Sequence, residues 1–93
     1  MSEDNLTSAL YRATRASALM NDELVTGALM QLENDYITAW RATAVRDTDA
    51  RERLWQAVQV VGKFRDHLRL MIADGRIAQA EIDAMAARDV KAA

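Results

Sequence analysis

An all-α fold is predicted by three features of this 93-residue sequence. Ala is the commonest residue, with 18 occurrences, and most of the other residues also favour helices. Pro is absent and Gly occurs only three times, so few positions would interrupt a helix. Apolar residues recur at intervals of three and four along most of the chain, which is the period of an α-helix. With 51% hydrophobic and 28% charged residues, positions 1–93 are expected to form a single helical domain.

The first segment, residues 1–20, is predicted to be an N-terminal helical extension. Asp4 or Asn5 can serve as its N-cap. A thin apolar stripe follows at helical spacing, formed by Leu6, Leu10, Ala13, Ser17 and Met20. Asn21 or Asp22 can cap the next helix, but no Gly or Pro separates the two. Residues 1–44 could therefore form one bent helix or two helices with a break near position 21.

The second segment, residues 22–44, carries two apolar stripes. One stripe contains Val25, Leu29, Leu32, Tyr36 and Ala39. The other contains Met30, Ile37, Trp40 and Ala44, and it lies about 60–140° around the helix from the first. This helix is therefore expected to have neighbours on two sides.

The third segment, residues 48–73, has a strict heptad pattern of apolar residues: Ala50, Leu54, Ala57, Val61, Phe64, Leu68 and Met71. The polar stretch at 46–49 predicts a turn before it, with Thr48 as the cap or Asp49 and Glu52 as a capping box. So short a connection predicts that residues 22–44 and 48–73 form an antiparallel hairpin. The predicted core of the hairpin is Val25, Leu29, Leu32, Tyr36, Trp40, Leu54, Val61, Phe64, Leu68 and Met71.

The third helix is expected to stop at Asp74 and Gly75, because Gly is favoured just beyond a helix C-terminus. A short C-terminal helix at residues 77–89 would then fold back on the hairpin. Its apolar side contains Ile77, Ile82 and Met85.

No catalytic or cofactor site is predicted. Asp74, Gly75 and Glu81 match the second half of an EF-hand loop, but the first and third ligand positions are Leu70 and Ile72. Calcium needs oxygen ligands there, so no calcium or other metal site is expected. The sequence has no Cys, and its one His has no partner for catalysis or metal binding that can be identified from spacing. The protein is therefore expected to be neither an enzyme nor a cofactor carrier.

Charge gives little support for nucleic-acid binding. The net charge is −2, although positions 41–69 carry seven basic and four acidic residues. Arg51, Arg65 and Arg69 fall on one side of their helix, with Glu52 and Asp66 among them. A solvated face of mixed charge is the preferred interpretation, and weak binding of nucleic acid is the alternative. No apolar run is long enough to span a membrane, so no membrane partner is expected.

Protein partners are the favoured prediction. Trp55 lies about 150° from the heptad stripe of its own helix, so either a terminal helix covers it or it contacts another chain. The predicted interface consists of Trp55, Val58, Arg69 and Leu70. The apolar surplus on both long helices predicts a homo-oligomer or contacts with other protein chains.

Three stretches carry a resemblance to a known group of proteins: NDYITAWRAT at 34–43, DTDARERLWQAVQVVGK at 47–63 and DHL at 66–68. They resemble small helical proteins encoded by tailed bacteriophages and prophages of alphaproteobacteria, over residues 22–83. The resemblance implies a small structural or assembly component of the virion, located in the particle or the host cytoplasm. Alternatives are a phage accessory factor that inhibits a host protein and a weak nucleic-acid-binding protein. The resemblance implies no active site.

Overall fold

The protein is all-α, as predicted. A computed structural model describes residues 2–92, so positions 1 and 93 of the predicted domain lie outside it. The described chain forms three helices and no strand: α1 (Glu3–Asn21), α2 (Glu23–Ala42) and α3 (Thr48–Ala92).

Asp22 separates α1 from α2, which answers the question that the sequence left open. Its backbone is extended, and its side chain accepts hydrogen bonds from the backbone N–H groups of Leu24 (2.9 Å) and Val25 (3.2 Å). This N-cap satisfies two donors that the first turn of a helix leaves without partners. Residues 3–42 are therefore two helices.

The other two helix starts differ from prediction by one to three residues. At α1, the Ser2 hydroxyl accepts from the N–H of Asn5 at 3.3 Å, so Ser2 is the cap and Asp4 and Asn5 are helical. At α3, the Asp47 carboxylate accepts from the N–H of Ala50 at 3.2 Å. Thr48 is then the first helical residue. In each case the polar residue just outside the helix reaches the free N–H groups of the first turn.

α3 continues for 45 residues without a break, so the predicted stop at Gly75 and the separate helix at 77–89 are wrong. No residue described by the structure has a positive φ angle, whereas a Gly at a helix C-terminus adopts one. Gly75 is buried within the helix instead. Its missing side chain allows another helix to approach closely.

The chain forms two compact units. The hairpin unit comprises residues 20–66, and the terminal unit comprises residues 2–19 and 67–92. In the hairpin unit, Arg65 of α3 pairs with Glu33 of α2, while Trp55 of α3 contacts Trp40 of α2. As α3 advances from 55 to 65, α2 runs back from 40 to 33. The two helices are therefore antiparallel, as predicted.

The terminal unit is a second antiparallel helix pair, formed by α1 and the last part of α3. Leu6, Ala9 and Ala78 form its buried cluster, against which Leu10 and Ile82 pack. A Cβ added at Gly75 would overlap the Cβ of Ala13 and lie 3.5 Å from the carbonyl oxygen of Ala9. Small residues thus bring the two helix backbones close together.

The buried core is smaller than predicted. Val61 is buried in the hairpin unit as expected, whereas Leu68 is buried in the terminal unit and not in the hairpin. Val25, Leu29, Tyr36, Trp40 and Leu54 are half-buried. Leu32, Phe64 and Met71 are exposed within the single chain, so their assignment to its core is wrong. A two-helix unit covers one side of each helix, and these three side chains lie outside the covered side.

Candidate protein-binding surface

Trp40, Arg51 and Trp55 form a cluster near the turn of the hairpin unit. The rings of Trp40 and Trp55 are 6.3 Å apart between centroids and tilted by 45°. The Cζ atom of Arg51 lies 4.5 Å from the centre of the Trp40 ring, within the range of a cation–π interaction. α2 supplies one ring, and the first turns of α3 supply the guanidinium and the second ring.

Arg51 also closes the C-terminal end of α2. Its Nη1 donates to the hydroxyl of Thr43 at 3.0 Å, with longer contacts to the carbonyl oxygens of Trp40 (3.4 Å) and Thr43 (3.5 Å). The Thr43 hydroxyl in turn donates to the Trp40 carbonyl at 2.6 Å. A cation at this end is favourable because carbonyl groups without partners make it partly negative. The cluster therefore fixes the geometry of the turn.

Beside the cluster lies an open cleft of about 460 Å³. Its lining residues are Trp40, Val45, Thr48, Arg51, Glu52 and Trp55. Trp55 is 49% exposed and Val45 is 84% exposed, so both present apolar surface to solvent. Trp and Arg are the residue types most enriched among side chains that dominate binding at protein interfaces.

The four predicted interface residues do not all lie in this cleft. Trp55 contacts Trp40 of α2, which neither predicted possibility named, and it remains half-exposed. Its predicted contact with another chain stays a prediction. Val58 is half-buried in the hairpin unit. Leu70 (56% exposed) and Arg69 are exposed on α3 within the terminal unit. The hairpin unit thus contains Trp55 and Val58, while the terminal unit contains Leu70 and Arg69.

Sequence reasoning missed the role of Arg51. It placed Arg51 on a solvated face of mixed charge, together with Arg65 and Arg69. The available signal was its position one turn into a helix that follows a short connection. There, a long side chain can reach back to the end of the preceding helix.

The arginines do not form one free basic patch. Arg51 is bonded to the end of α2, and the Arg65 Nη1 lies 2.6 Å from the Glu33 carboxylate. Both guanidinium groups already have partners within the hairpin unit. This arrangement disfavours a phosphate-binding role for these two residues.

Within residues 2–92, no group of three or more His, Asp or Glu side chains is placed to hold a metal ion. The stretch from Asp74 to Glu81 is helical. An EF-hand ligand set requires a loop that turns around the cation. The partial match to that motif is thus a coincidence of residue types.

Among the residues that the structure describes, no helix is both long enough and apolar enough to cross a membrane.

No protein family, no curated protein and no solved structure matches this chain.

Proposed function

We propose that this protein is not an enzyme and acts through contacts with other protein chains, as a small structural or assembly component of a phage particle. The observation that carries the proposal is the state of α2. Eight of its twenty residues are large and apolar, yet none of the twenty, all of which the structure describes, is buried. Since an isolated helix of this length is marginal in water, α2 needs more contacts than α3 alone provides.

Exposed apolar side chains in each unit support the same proposal. Exposed apolar side chains are spread over both units and include Leu24, Met30, Trp55, Val60, Leu70 and Ile77. Where such side chains form a contiguous patch, the patch is typical of a protein-binding site.

The Trp40–Arg51–Trp55 cluster is the proposed docking point for a protein partner. Arg51 packs on the Trp40 ring, and the Trp40 ring contacts the Trp55 ring, so the cluster is ordered before a partner arrives. This order lowers the entropic cost of binding. The cleft also holds Glu52, so a partner segment with an apolar residue beside a basic one would complement it. The phage context rests on the resemblance of residues 34–68 to phage-encoded helical proteins.

Mass spectrometry of purified particles from the source phage tests the structural role. A virion component is expected at a fixed copy number per particle, and it should remain after nuclease treatment and a high-salt wash. Absence from the particles would favour the accessory-factor alternative. A nucleic-acid binder would instead lose binding steeply as salt rises.

A binding experiment with Trp55 variants tests the docking point. Once a partner is identified in the particles, Trp55→Ala should weaken its binding at least tenfold, as expected for a central aromatic contact. Leu24→Ala is the matched control, because Leu24 is more exposed and lies outside the cleft. Equal binding by the wild type and Trp55→Ala would remove the cleft from the proposal.

A further inference from the structure

One edge of the hairpin unit carries exposed apolar residues from both helices. Glu33 and Arg65 point at each other across the helix pair. Leu32 and Phe64 each precede one member of that ion pair. When two residues face each other across an antiparallel helix pair, the residues immediately before them both point to the same side of the pair. Leu32 is 41% exposed and Phe64 is 46% exposed. We call this side, with Val60 one turn before Phe64, the Leu32–Phe64 edge.

The heptad pattern of α3 explains why this edge is apolar. Leu54 and Val61 face α2, where Val61 is buried and Leu54 is half-buried. Ala50, Ala57 and Phe64 form the second row of the same pattern, turned toward the Leu32–Phe64 edge. A heptad with both rows apolar is typical of a helix that packs against more than one neighbour. Within the hairpin unit, α2 provides only the first neighbour.

We infer that a second copy of this chain packs on the Leu32–Phe64 edge, so that two hairpin units form a four-helix arrangement. The inference deepens the proposed function and rests on its premise that the exposed apolar surface is used in protein contacts.

Charges beside the edge favour a second copy as the occupant. Asp35 lies two residues after Glu33 on α2, and Lys63 lies two residues before Arg65 on α3. Because the helices are antiparallel, Asp35 and Lys63 lie at the same height along the pair. If a two-fold axis runs parallel to the helices, α2 of one copy lies over α3 of the other. Asp35 of each copy then lies near Lys63 of the second copy. The same arrangement places Phe64 of each copy beside Leu32 of the second copy, with an offset of two residues, or about 3 Å, along the helix axis.

Light scattering coupled to size exclusion, on the full chain, tests the inference. The wild type is expected to have twice the chain mass of 10.4 kDa. Phe64→Glu and Leu32→Lys should each weaken dimerisation at least tenfold, because each puts a charge into an apolar contact. Met30→Glu is the matched control, since Met30 is exposed on the opposite edge, three residues before Glu33. It should leave the mass unchanged.

Mixing the two variants shows whether loss of the dimer is caused by the lost contact or by unfolding of the variant chains. In a heterodimer of Phe64→Glu with Leu32→Lys, one Phe64–Leu32 contact is native and the other becomes an ion pair. The mixture should therefore form dimers although each variant alone does not. A wild type that stays monomeric at about 100 µM overturns the inference, as does a dimer lost in Met30→Glu and kept in Phe64→Glu. A monomer that still binds a partner through Trp55 would leave the proposed function standing.

Discussion

Gly75 of α3 lies so close to Ala13 of α1 that a Cβ at position 75 would overlap the Cβ of Ala13. The carbonyl oxygen of Ala9, 3.5 Å from that position, would be in ordinary van der Waals contact. The Ala13 Cβ is bonded directly to the α1 backbone, so it cannot rotate away from the overlap. The terminal unit therefore depends on a Gly in the interior of a helix, where Gly costs about 1 kcal/mol relative to Ala. Close packing of the two helices offsets this cost.

Gly75→Ala should destabilise the protein by about 1–3 kcal/mol, the usual range for overpacking, despite the better helix propensity of Ala. Urea unfolding at fixed protein concentration measures the change. Ala13→Gly in the same chain should restore part of the loss, because it removes the overlapping methyl group. Unchanged or increased stability in Gly75→Ala would show that the two helices are further apart.

Gly27→Ala should have the opposite effect. A Cβ at Gly27 meets nothing within 4 Å, and the residue lies inside α2 on an exposed position. The substitution should raise the free energy of unfolding by about 0.5–1 kcal/mol through helix propensity. Thermal unfolding beside Gly75→Ala compares the two sites directly. A loss of stability in Gly27→Ala would reveal a neighbour at this position.

Asp22→Ala should destabilise the protein by about 1 kcal/mol, because two N–H groups of α2 lose their acceptor. Asp22→Asn is the control, since its amide oxygen can accept the same bonds. Circular dichroism during urea unfolding measures both. Equal losses in the two variants would assign the effect to the charge and not to the cap.

Arg51→Ala should cost about 1–2 kcal/mol, since it removes the contact with Trp40 and the hydrogen bond to Thr43. Arg51→Lys should recover only part of this, because Lys lacks the planar fork that stacks and bonds at once. Tryptophan fluorescence should change in Arg51→Ala even before unfolding. Identical spectra and stability in all three proteins would exclude the cluster as an ordered element.

The helices and the hairpin could be predicted from the sequence because their signals are local. Asp22 was among the predicted caps, and the heptad of α3 placed Val61 and Leu68 correctly in the interior. Gly75 could not be interpreted in the same way. A Gly can end a helix, or it can lie inside a helix where a neighbouring helix packs closely. Gly75 is of the second kind because it packs against Ala13, about sixty residues away in the chain.

The candidate surface was predicted in part. The wheel position of Trp55 indicated that it lies off the seam, and it is half-exposed. Its contact with Trp40 and the role of Arg51 depend on how the turn brings α2 and α3 together. Phe64 was assigned to the core from the heptad alone, but a heptad does not say which chain supplies the covering helix.

We propose that α2 depends on contacts beyond its own chain, and amide hydrogen exchange of α2 tests this proposal most directly. Exchange should be followed by mass spectrometry at about 1 and 100 µM protein, because protection that depends on association rises with concentration. Residues 23–42 are expected to exchange fast in the dilute sample and to be strongly protected in the concentrated one, with a smaller change in the terminal unit. Protection of α2 that is strong and equal at both concentrations, in a protein of monomer mass, would contradict it.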